Sequence, residues 1–327
     1  MTSLVIRTAQ DAIAAVPYLL GFHPARSLVV IGFEGRSRGT CAIRLDLPAD
    51  AADRVAALLA GNGFARSLLL GYGPPDEVAE AAAPMRAALT AAGVPAVEAI
   101  RVGDGRWWSL TCDDDCCPPE GVPYDISGSV VAAQATFAGH VALADRAELV
   151  RSVQPLDGPG QATMHQATER ARKRYLSRPR AAHEEDLAFV LALLAHARTG
   201  IRPTDDEAAW LGLLLTDLRI RDETWIRIDE DAPAADIAFW RDIVRRVEEP
   251  CVPAPASLLA FAAYSAGDGG LANVALERAL AADPAYSMAV ILREVIEAGI
   301  PPRKLRMRMS SDQLAAAYDD QAHREAG

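Results

Sequence analysis

Lysine is nearly absent from this 327-residue chain: Lys173 and Lys304 are the only two among 33 basic residues. Such a bias toward arginine is typical of a GC-rich genome, so the arginines are not taken as phosphate ligands by default. Half of the residues are apolar, yet no apolar run approaches the ~20 residues that a membrane helix needs. The first residues also lack the charged and apolar stretches of a secretory signal. We therefore expect a cytoplasmic protein without membrane contact, long enough for two domains.

Neither half of the chain has an excess of positive charge. Residues 1–150 carry 11 basic and 17 acidic side chains, and residues 151–327 carry 22 and 27. Nucleic-acid-binding domains are typically basic, so the composition argues against that class. Signatures of catalysis are missing as well: there is no Gly-x-Ser-x-Gly, no Walker loop and no His-Glu-x-x-His, and the six histidines never stand at metal-ligand spacing. We assign no catalytic residue.

Local signals in the first half are clear. Thr8 and Asp11 stand three residues apart at the start of a helical run, as in a capping box. Residues 27–33 (SLVVIGF) form a continuous apolar run, which is typical of a strand buried on both faces. Residues 40–47 alternate in polarity and are predicted to pair with that strand through a hairpin. A second hairpin is predicted across residues 103–105.

Further strand-like runs occur at residues 67–70 and 96–102, with a long helical stretch between them. Helices of about ten or more residues between strands favour a three-layer α/β fold with a mostly parallel or mixed sheet. We assign this α/β domain to residues 1–140. Residues 141–327 show helical spacing and are predicted to form an α-helical domain, with a hinge near residues 154–160.

One helical segment, residues 259–284, resembles a tetratricopeptide helix pair. The matching positions are Leu259, Ala272, Ala279 and Pro284, with Leu276 where the pattern favours an aromatic residue. The small alanines would let two antiparallel helices pack closely. A single helical hairpin within a bundle explains the same pattern, so both alternatives stay open.

Residues 106–121 (RWWSLTCDDDCCPPEG) hold three of the five cysteines and two of the five tryptophans. Cys112, Cys116 and Cys117 crowd one acidic, turn-rich loop. Zinc prefers four tetrahedral ligands with paired cysteines, and this loop has that kind of spacing but is one ligand short. A disulfide from Cys112 to Cys117 or to Cys116 would instead close a small loop. Free buried thiols are the expected state in a reducing compartment, so three alternatives stay open.

A candidate ligand cleft lies near the cysteine loop. Gly71, Tyr72 and Gly73 follow a strand and precede a helix, which is where open α/β sheets bind ligands. The third glycine of a dinucleotide fingerprint is missing. Trp107 and Trp108 would point to opposite faces of a strand, so one of them would lie in the core and the other could add aromatic surface to the cleft. The alternative for both tryptophans is simple packing.

A basic segment at residues 170–180 (RARKRYLSRPR) is the second candidate binding region. Its positive side chains are Arg170, Arg172, Lys173, Arg174, Arg178 and Arg180. On a chain this acidic, we expect them to pair with its own carboxylates or to solvate a helix face. The alternative is that the segment binds an acidic partner or nucleic acid.

Several stretches of the chain together resemble a known family. They are GFHPARSLVVIGF (21–33), RLDLP (44–48), RSLLLGYG (66–73), DGRWWSLTCDDDCCPPEG (104–121) and GDGGLANVALERALAADPAYSMAVIL (267–292). These stretches resemble the actinobacterial domain-of-unknown-function family 4192 (DUF4192), most specifically in Trp-Trp-Ser-x-x-Cys and Cys-Cys-Pro-x-x-Gly. The resemblance implies an actinobacterial cytoplasmic protein and brings no established activity.

The sequence as a whole favours a non-enzymatic binding or regulatory protein. The helical half would present a groove to a protein partner or to a second copy of the chain, and the α/β half would hold the small-ligand cleft. One alternative is a metal- or thiol-dependent enzyme or redox sensor that uses Cys112, Cys116 and Cys117, with zinc as the candidate cofactor. Another is a structural or self-assembling protein.

Overall fold

The computed structural model describes residues 6–36, 39–112, 117–137, 139, 141–179, 183–306 and 309–325. The chain divides into two compact units, Met1–Leu149 and Val150–Gly327. The first unit contains the sheet, and the second is built from helices. No helix in the described part of the chain is both long and apolar enough to cross a membrane.

Six strands of the first unit form one sheet. They are β1 (Ser27–Phe33), β2 (Cys41–Asp46), β3 (Arg66–Tyr72), β4 (Ala96–Gly103), β5 (Arg106–Ser109) and β6 (Val122–Pro123). The helices around them are α1 (Ala9–Leu20), α2 (Ala52–Gly61), α3 (Pro75–Ala91) and α4 (Val130–Phe137), and α5 (Arg146–Arg151) follows. Thr8 and Asp11 cap the start of α1 reciprocally, which confirms the predicted capping box.

The sheet is mixed, with strand order β2-β1-β3-β4-β5-β6. Among the described strands, only β3 and β4 pair in parallel, and every other neighbouring pair is antiparallel. The mostly parallel alternative is therefore wrong. The physical reason is that the connections β1–β2 and β4–β5 are too short for a crossover and therefore give antiparallel pairing, whereas α3 provides the crossover that a parallel pair needs. Both predicted hairpins are confirmed.

The core of the first unit lies between the sheet and the pair α2 and α3. Leu28, Val30, Leu69 and Ala99 face this layer and are buried. The alternating residues of the same strands, such as Val29 and Ile31, are buried on the opposite face. Burial on both faces explains why β1 is apolar at nearly every position.

The second unit consists of helices. They are α6 (Pro159–Ser177), α7 (His183–Arg198), α8 (Asp205–Leu214), α9 (Leu218–Trp225), α10 (Ala234–Arg246), α11 (Pro253–Ser265), α12 (Gly269–Ala282), α13 (Ser287–Glu297) and α14 (Ser311–Glu325), with a short 3₁₀ helix at Pro302–Lys304. Helix α11 is buried along most of its length and packs against α10, α12 and α13. A helix that is apolar all round requires such a central position.

Helices α11 and α12 form a closely packed pair joined by residues 266–268. Ala272, Leu276 and Ala279 of α12 are fully buried or nearly so. The small volumes of Ala272 and Ala279 permit the close approach of the two helices. A helical hairpin is therefore present at the predicted place, while its identity as a tetratricopeptide unit stays a prediction.

Candidate functional site

The candidate site of the first unit lies at the edge of the sheet where β3 and β4 end. Because these two strands are parallel, their carboxyl ends meet at the same edge. The chain leaves β3 through Gly73 and Pro74 and enters α3 directly. It leaves β4 through a tight hairpin and returns as β5. This edge therefore combines a helix start, a hairpin and both tryptophans. The carboxyl ends of the strands are where open α/β sheets bind their ligands.

Strand register separates the predicted cleft residues onto two faces. Gly71 lies opposite Arg101, which lies opposite Trp108, so these three residues share one face. Tyr72 lies opposite Val102 and belongs to the other face, as does Trp107. Successive side chains of a strand point to opposite faces, so Tyr72 and Trp107 do not share a face of the sheet with Gly71 and Trp108, and the cleft stays a prediction.

Arg101 joins the two halves of the face that holds Gly71 and Trp108. Its Nε donates a hydrogen bond to the carbonyl oxygen of Gly73 at 3.0 Å. Its guanidinium carbon lies 4.1 Å from the centre of the Trp108 ring, which is a cation–π contact. None of the sequence patterns pointed to Arg101 as a site residue. The signal that would have found it is a charged residue within an otherwise apolar stretch of β4.

The terminal nitrogens of Arg101 make no hydrogen bond or ion pair with the part of the chain that the structure describes. The residue is half-buried. Its Nη2 extends along β4 to Gly103, where an added Cβ would lie only 3.2 Å away. The guanidinium is thus held at one nitrogen and on one ring face, while two nitrogens keep their donors available. Such a group can bind a carboxylate or a phosphate.

Trp108 is itself fixed by the loop that follows it. Its indole Nε1 donates to the carbonyl oxygen of Pro119 at 3.0 Å. Gly121 packs against the indole so closely that an added Cβ would lie 2.5 Å from Cε2. Arg106 donates to the carbonyl oxygen of Gly121 at 2.7 Å. The described end of the cysteine loop, residues 117–121, is therefore attached to β5.

The glycines after β3 serve packing as well as the turn. A Cβ on Gly71 would lie 2.2 Å from the Cγ1 of Val78, so only glycine lets α3 approach the strand this closely. Gly73 has a φ of +150°. In the first turn of α3, Glu77 accepts two hydrogen bonds from Arg26, at 2.8 and 2.9 Å. That carboxylate is already paired and does not neutralise Arg101.

On the other face, Tyr72 places its hydroxyl in a buried position without a hydrogen-bond partner among the described residues. Burial raises the pKa of Tyr72, and the nearby Tyr124 raises it further. The hydroxyl therefore stays protonated at neutral pH. An unpaired buried hydroxyl costs free energy, which makes this position a source of strain in the face that also holds Trp107.

The cysteine loop is described only at its two ends. Cys112 and Cys117 are both half-buried, and the backbone N–H of Cys112 donates to the Ser109 hydroxyl at 3.1 Å. Cys116, with residues 113–115, lies outside the described residues. Within the described ranges, no three Cys, His, Asp or Glu side chains are grouped as metal ligands. Zinc, the disulfide and free thiols therefore stay predictions.

The basic segment lies on α6 and just after it. Its charged pairs and ring contacts are Arg170 with Asp206 (2.6 Å), Arg172 with Glu169 (2.9 Å), Arg178 with Asp186 (2.7 Å) and Arg174 with the Trp210 ring (4.0 Å). Lys173 is exposed, and Arg180 lies outside the described residues. Intramolecular pairs thus engage much of the positive charge, and binding of an acidic partner stays a prediction.

The fold defines an α/β protein with a mixed six-stranded sheet and a helical second unit. The sequence profile of a family described as a domain of unknown function (DUF4192) matches residues 10–303. This chain belongs to that family, as the resemblance of the cysteine loop and its neighbours predicted. No curated protein and no solved structure matches it.

Proposed function

We propose that this protein is a non-enzymatic binding or regulatory protein whose first unit binds a small anionic ligand at Arg101 and Trp108. The proposal rests on the position of the Arg101 side chain. The guanidinium of Arg101 is fixed between the Gly73 carbonyl and the Trp108 ring, while its terminal nitrogens have no partner in the described chain.

The chemistry of this arrangement favours anion binding. A guanidinium offers two parallel N–H donors that match a carboxylate or a phosphate. The ring contact and the Gly73 hydrogen bond hold the long side chain in one conformation, so little side-chain entropy is lost when a ligand binds. The position at the carboxyl ends of β3 and β4 is where α/β sheets place their ligand sites.

Calorimetric titration of the full chain with inorganic phosphate, acetate and succinate tests the proposal. We expect saturable binding of at least one of these anions, a loss of about tenfold or more in affinity for Arg101→Gln, and an intermediate loss for Arg101→Lys. Arg54→Gln is the matched control, because Arg54 is an exposed arginine of the same unit. Equal affinities of Arg101→Gln and the wild type would contradict the proposal, as would the absence of saturable binding.

We further propose that the helical unit binds a protein partner or a second copy of the chain through a tetratricopeptide-like surface. The support is the α11–α12 pair followed by α13, on which Ile291 is 55% exposed although it is apolar. If a second copy binds there, light scattering will show an oligomer for the wild type and a monomer for Ile291→Glu. A wild-type monomer would rule out the second copy as the occupant.

A further inference from the structure

A cavity of about 240 Å³ lies in the helical unit, where the start of α6 meets the end of α10. Its lining combines apolar side chains with positive ones. The apolar part includes Leu156, Met164 and Val247. Arg245 and Arg278 line the same cavity. A small apolar pocket with a few convergent polar groups is the usual form of a ligand site.

The start of α6 contributes positive potential to this cavity. Gly158 precedes the helix and provides no side-chain cap, and the first turn holds no acidic residue. Gly160 and Gln161 of that turn line the cavity. Pro159 has no N–H, and Gln161 donates its N–H to the carbonyl oxygen of Gly158 at 3.1 Å. The N–H of Gly160 and the aligned peptide dipoles therefore provide the positive potential there. A 19-residue helix that begins in this way favours an anion at its start.

Arg278 is a nearly buried arginine in the lining of this cavity. Its side chain is only 11% exposed. Its Nη1 donates to Glu249 at 3.0 Å, whereas its Nε is buried and has no partner among the described residues. A guanidinium this far from water is costly unless its donors are satisfied. The Nη2 donors of Arg278 are therefore available to a ligand, whereas its buried Nε is not accessible to one.

Arg245 is a second guanidinium with available donors. Its Nε makes only a long contact of 3.4 Å with the carbonyl oxygen of Gln154, and the described residues give its terminal nitrogens no hydrogen bond. The third arginine of the lining, Arg246, differs because its donors are engaged by Pro203, Asp205 and Asp242. Two of the three arginines therefore remain able to bind a ligand.

The acidic groups of the lining are already engaged. Glu248 lies 2.9 Å from Nδ1 of His165, and Glu249 accepts the hydrogen bond from Arg278. The Glu249 side chain is 61% exposed and can turn away into solvent. It occupies the place on Arg278 that the acid group of a ligand would take. Glu249 is thus an internal competitor for that guanidinium.

We propose that this cavity binds a small organic anion. Its carboxylate or phosphate would contact Arg245, Arg278 and the start of α6, and its short apolar part would lie against Leu156, Met164 and Val247. The site is separate from Arg101 and goes beyond the function proposed above. Glu249 lowers the affinity of the site for the anion, because its carboxylate competes with the ligand for Arg278.

Calorimetric titration of the full chain with hexanoate, hexyl phosphate and hexanol tests this proposal. We expect saturable binding of at least one of the two anions and none of hexanol, and the stronger of the two identifies the acid group. Arg278→Gln and Arg245→Gln should each weaken binding about tenfold or more, since each removes a charged hydrogen bond. Glu249→Gln should strengthen it several-fold.

Controls separate a ligand site from a folding defect. Arg293→Gln removes an exposed arginine of the same unit and should leave binding unchanged. Because Arg101 is itself proposed to bind carboxylates and phosphates, the titrations are repeated with Arg101→Gln. Anion binding that remains in that variant and is lost on substitution of Arg278 or Arg245 belongs to the cavity. Circular dichroism checks the fold of Arg278→Gln, and the strengthening by Glu249→Gln cannot arise from unfolding. Hexanol binding as tight as that of the anions would overturn the proposal, as would no anion binding or wild-type affinity in both arginine variants.

Discussion

The guanidinium of Arg101 on β4 stacks on the indole of Trp108 on β5, with 4.1 Å between its central carbon and the ring centre. The two residues are direct partners in the antiparallel register. A cation–π contact of a half-buried pair contributes about 1 kcal/mol, which is enough to hold a long side chain in one conformation. The same indole is fixed from its other end by residues 117–121, so the cysteine loop supports the guanidinium through Trp108.

Gly121→Ala tests this support. Gly121 has a φ of +79°, and its added Cβ would lie 2.5 Å from the Trp108 indole. We expect a loss of about 2 kcal/mol in the free energy of unfolding, because backbone strain and overlap with a fixed ring add together. Urea denaturation followed by tryptophan fluorescence measures the loss.

Gly105→Ala is the control for that variant. Gly105 has a similar φ of +69° but no atom within 4 Å of its added Cβ, so it carries the backbone strain alone. We expect a smaller loss of about 1 kcal/mol. If both variants lose the same free energy, the contact between Gly121 and Trp108 does not constrain the loop.

Arg246→Ala should destabilise the helical unit strongly. The Arg246 side chain is 5% exposed and donates to Asp205 at 2.6 Å and to Asp242 at 3.0 Å. Its removal leaves Asp205 without this charged partner and takes away one of the two arginines that pair with Asp242, which costs about 3 kcal/mol. Arg202→Ala is the matched control, because Arg202 pairs with the same Asp242 but its side chain is 73% exposed. An exposed pair contributes about 1 kcal/mol or less, so similar losses would contradict the argument.

Stability in acid should depend on Asp205. Burial by itself raises the pKa of Asp205, but hydrogen bonds from Thr163 and Arg246 and the Arg246 charge lower it below the usual range. A carboxyl whose folded pKa is depressed stabilises the protein above its unfolded pKa of about 3.9, and this stabilisation is lost as the pH falls through the folded pKa.

The measurement is the difference in unfolding free energy between the wild type and Asp205→Asn as a function of pH. We expect a constant difference from about pH 5 to about pH 7 and a decrease once the pH falls below about 4. In an Arg246→Ala background the difference should shrink, because the two residues act as a pair. A difference that does not change with pH would show that the charge of Asp205 contributes nothing.

The two cysteines outside the loop should react slowly. Burial raises the pKa of Cys41 to about 11 and that of Cys251 to about 11. The thiolate is the reactive form, so its fraction at neutral pH falls about a hundredfold relative to an ordinary thiol. Alkylation by iodoacetamide, followed by mass spectrometry, should show slow modification that accelerates as the pH rises. Rates equal to those of the urea-unfolded chain would contradict the prediction.

Local features of the first unit could be predicted from the sequence because they depend on near neighbours. The Thr8–Asp11 capping box satisfies the backbone N–H groups of these two residues at the start of α1. The apolar run 27–33 forms a strand that is buried on both faces. A strand with one face in solvent alternates apolar and polar residues, whereas this run has apolar residues on both faces. The connections at residues 34–40 and 103–105 are too short for the crossover that parallel strands need, so the strands they join pair antiparallel.

Strand direction beyond these hairpins was not accessible from the pattern. A buried strand has the same apolar alternation whether its neighbour is parallel or antiparallel, so the antiparallel pairing of β1 with β3 is decided by the packing of the whole sheet. The same limit applies to the predicted ligand cleft. Its residues lie at one edge of the sheet, and the register puts Tyr72 and Trp107 on the face opposite to Gly71 and Trp108.

The sequence by itself therefore determined the cap of α1, the two hairpins and the main strands, because each depends on residues close in the chain, and it identified the family through matching stretches along the chain. Only the tertiary structure decided which charged groups meet. Arg101 reaches Gly73 and Trp108 because three strands are in register, and Arg245 and Arg278 meet at the start of α6 because helices from distant segments pack together. Helical periodicity states which face of a helix is buried, but the partner of that face is fixed by the packing of complete side chains.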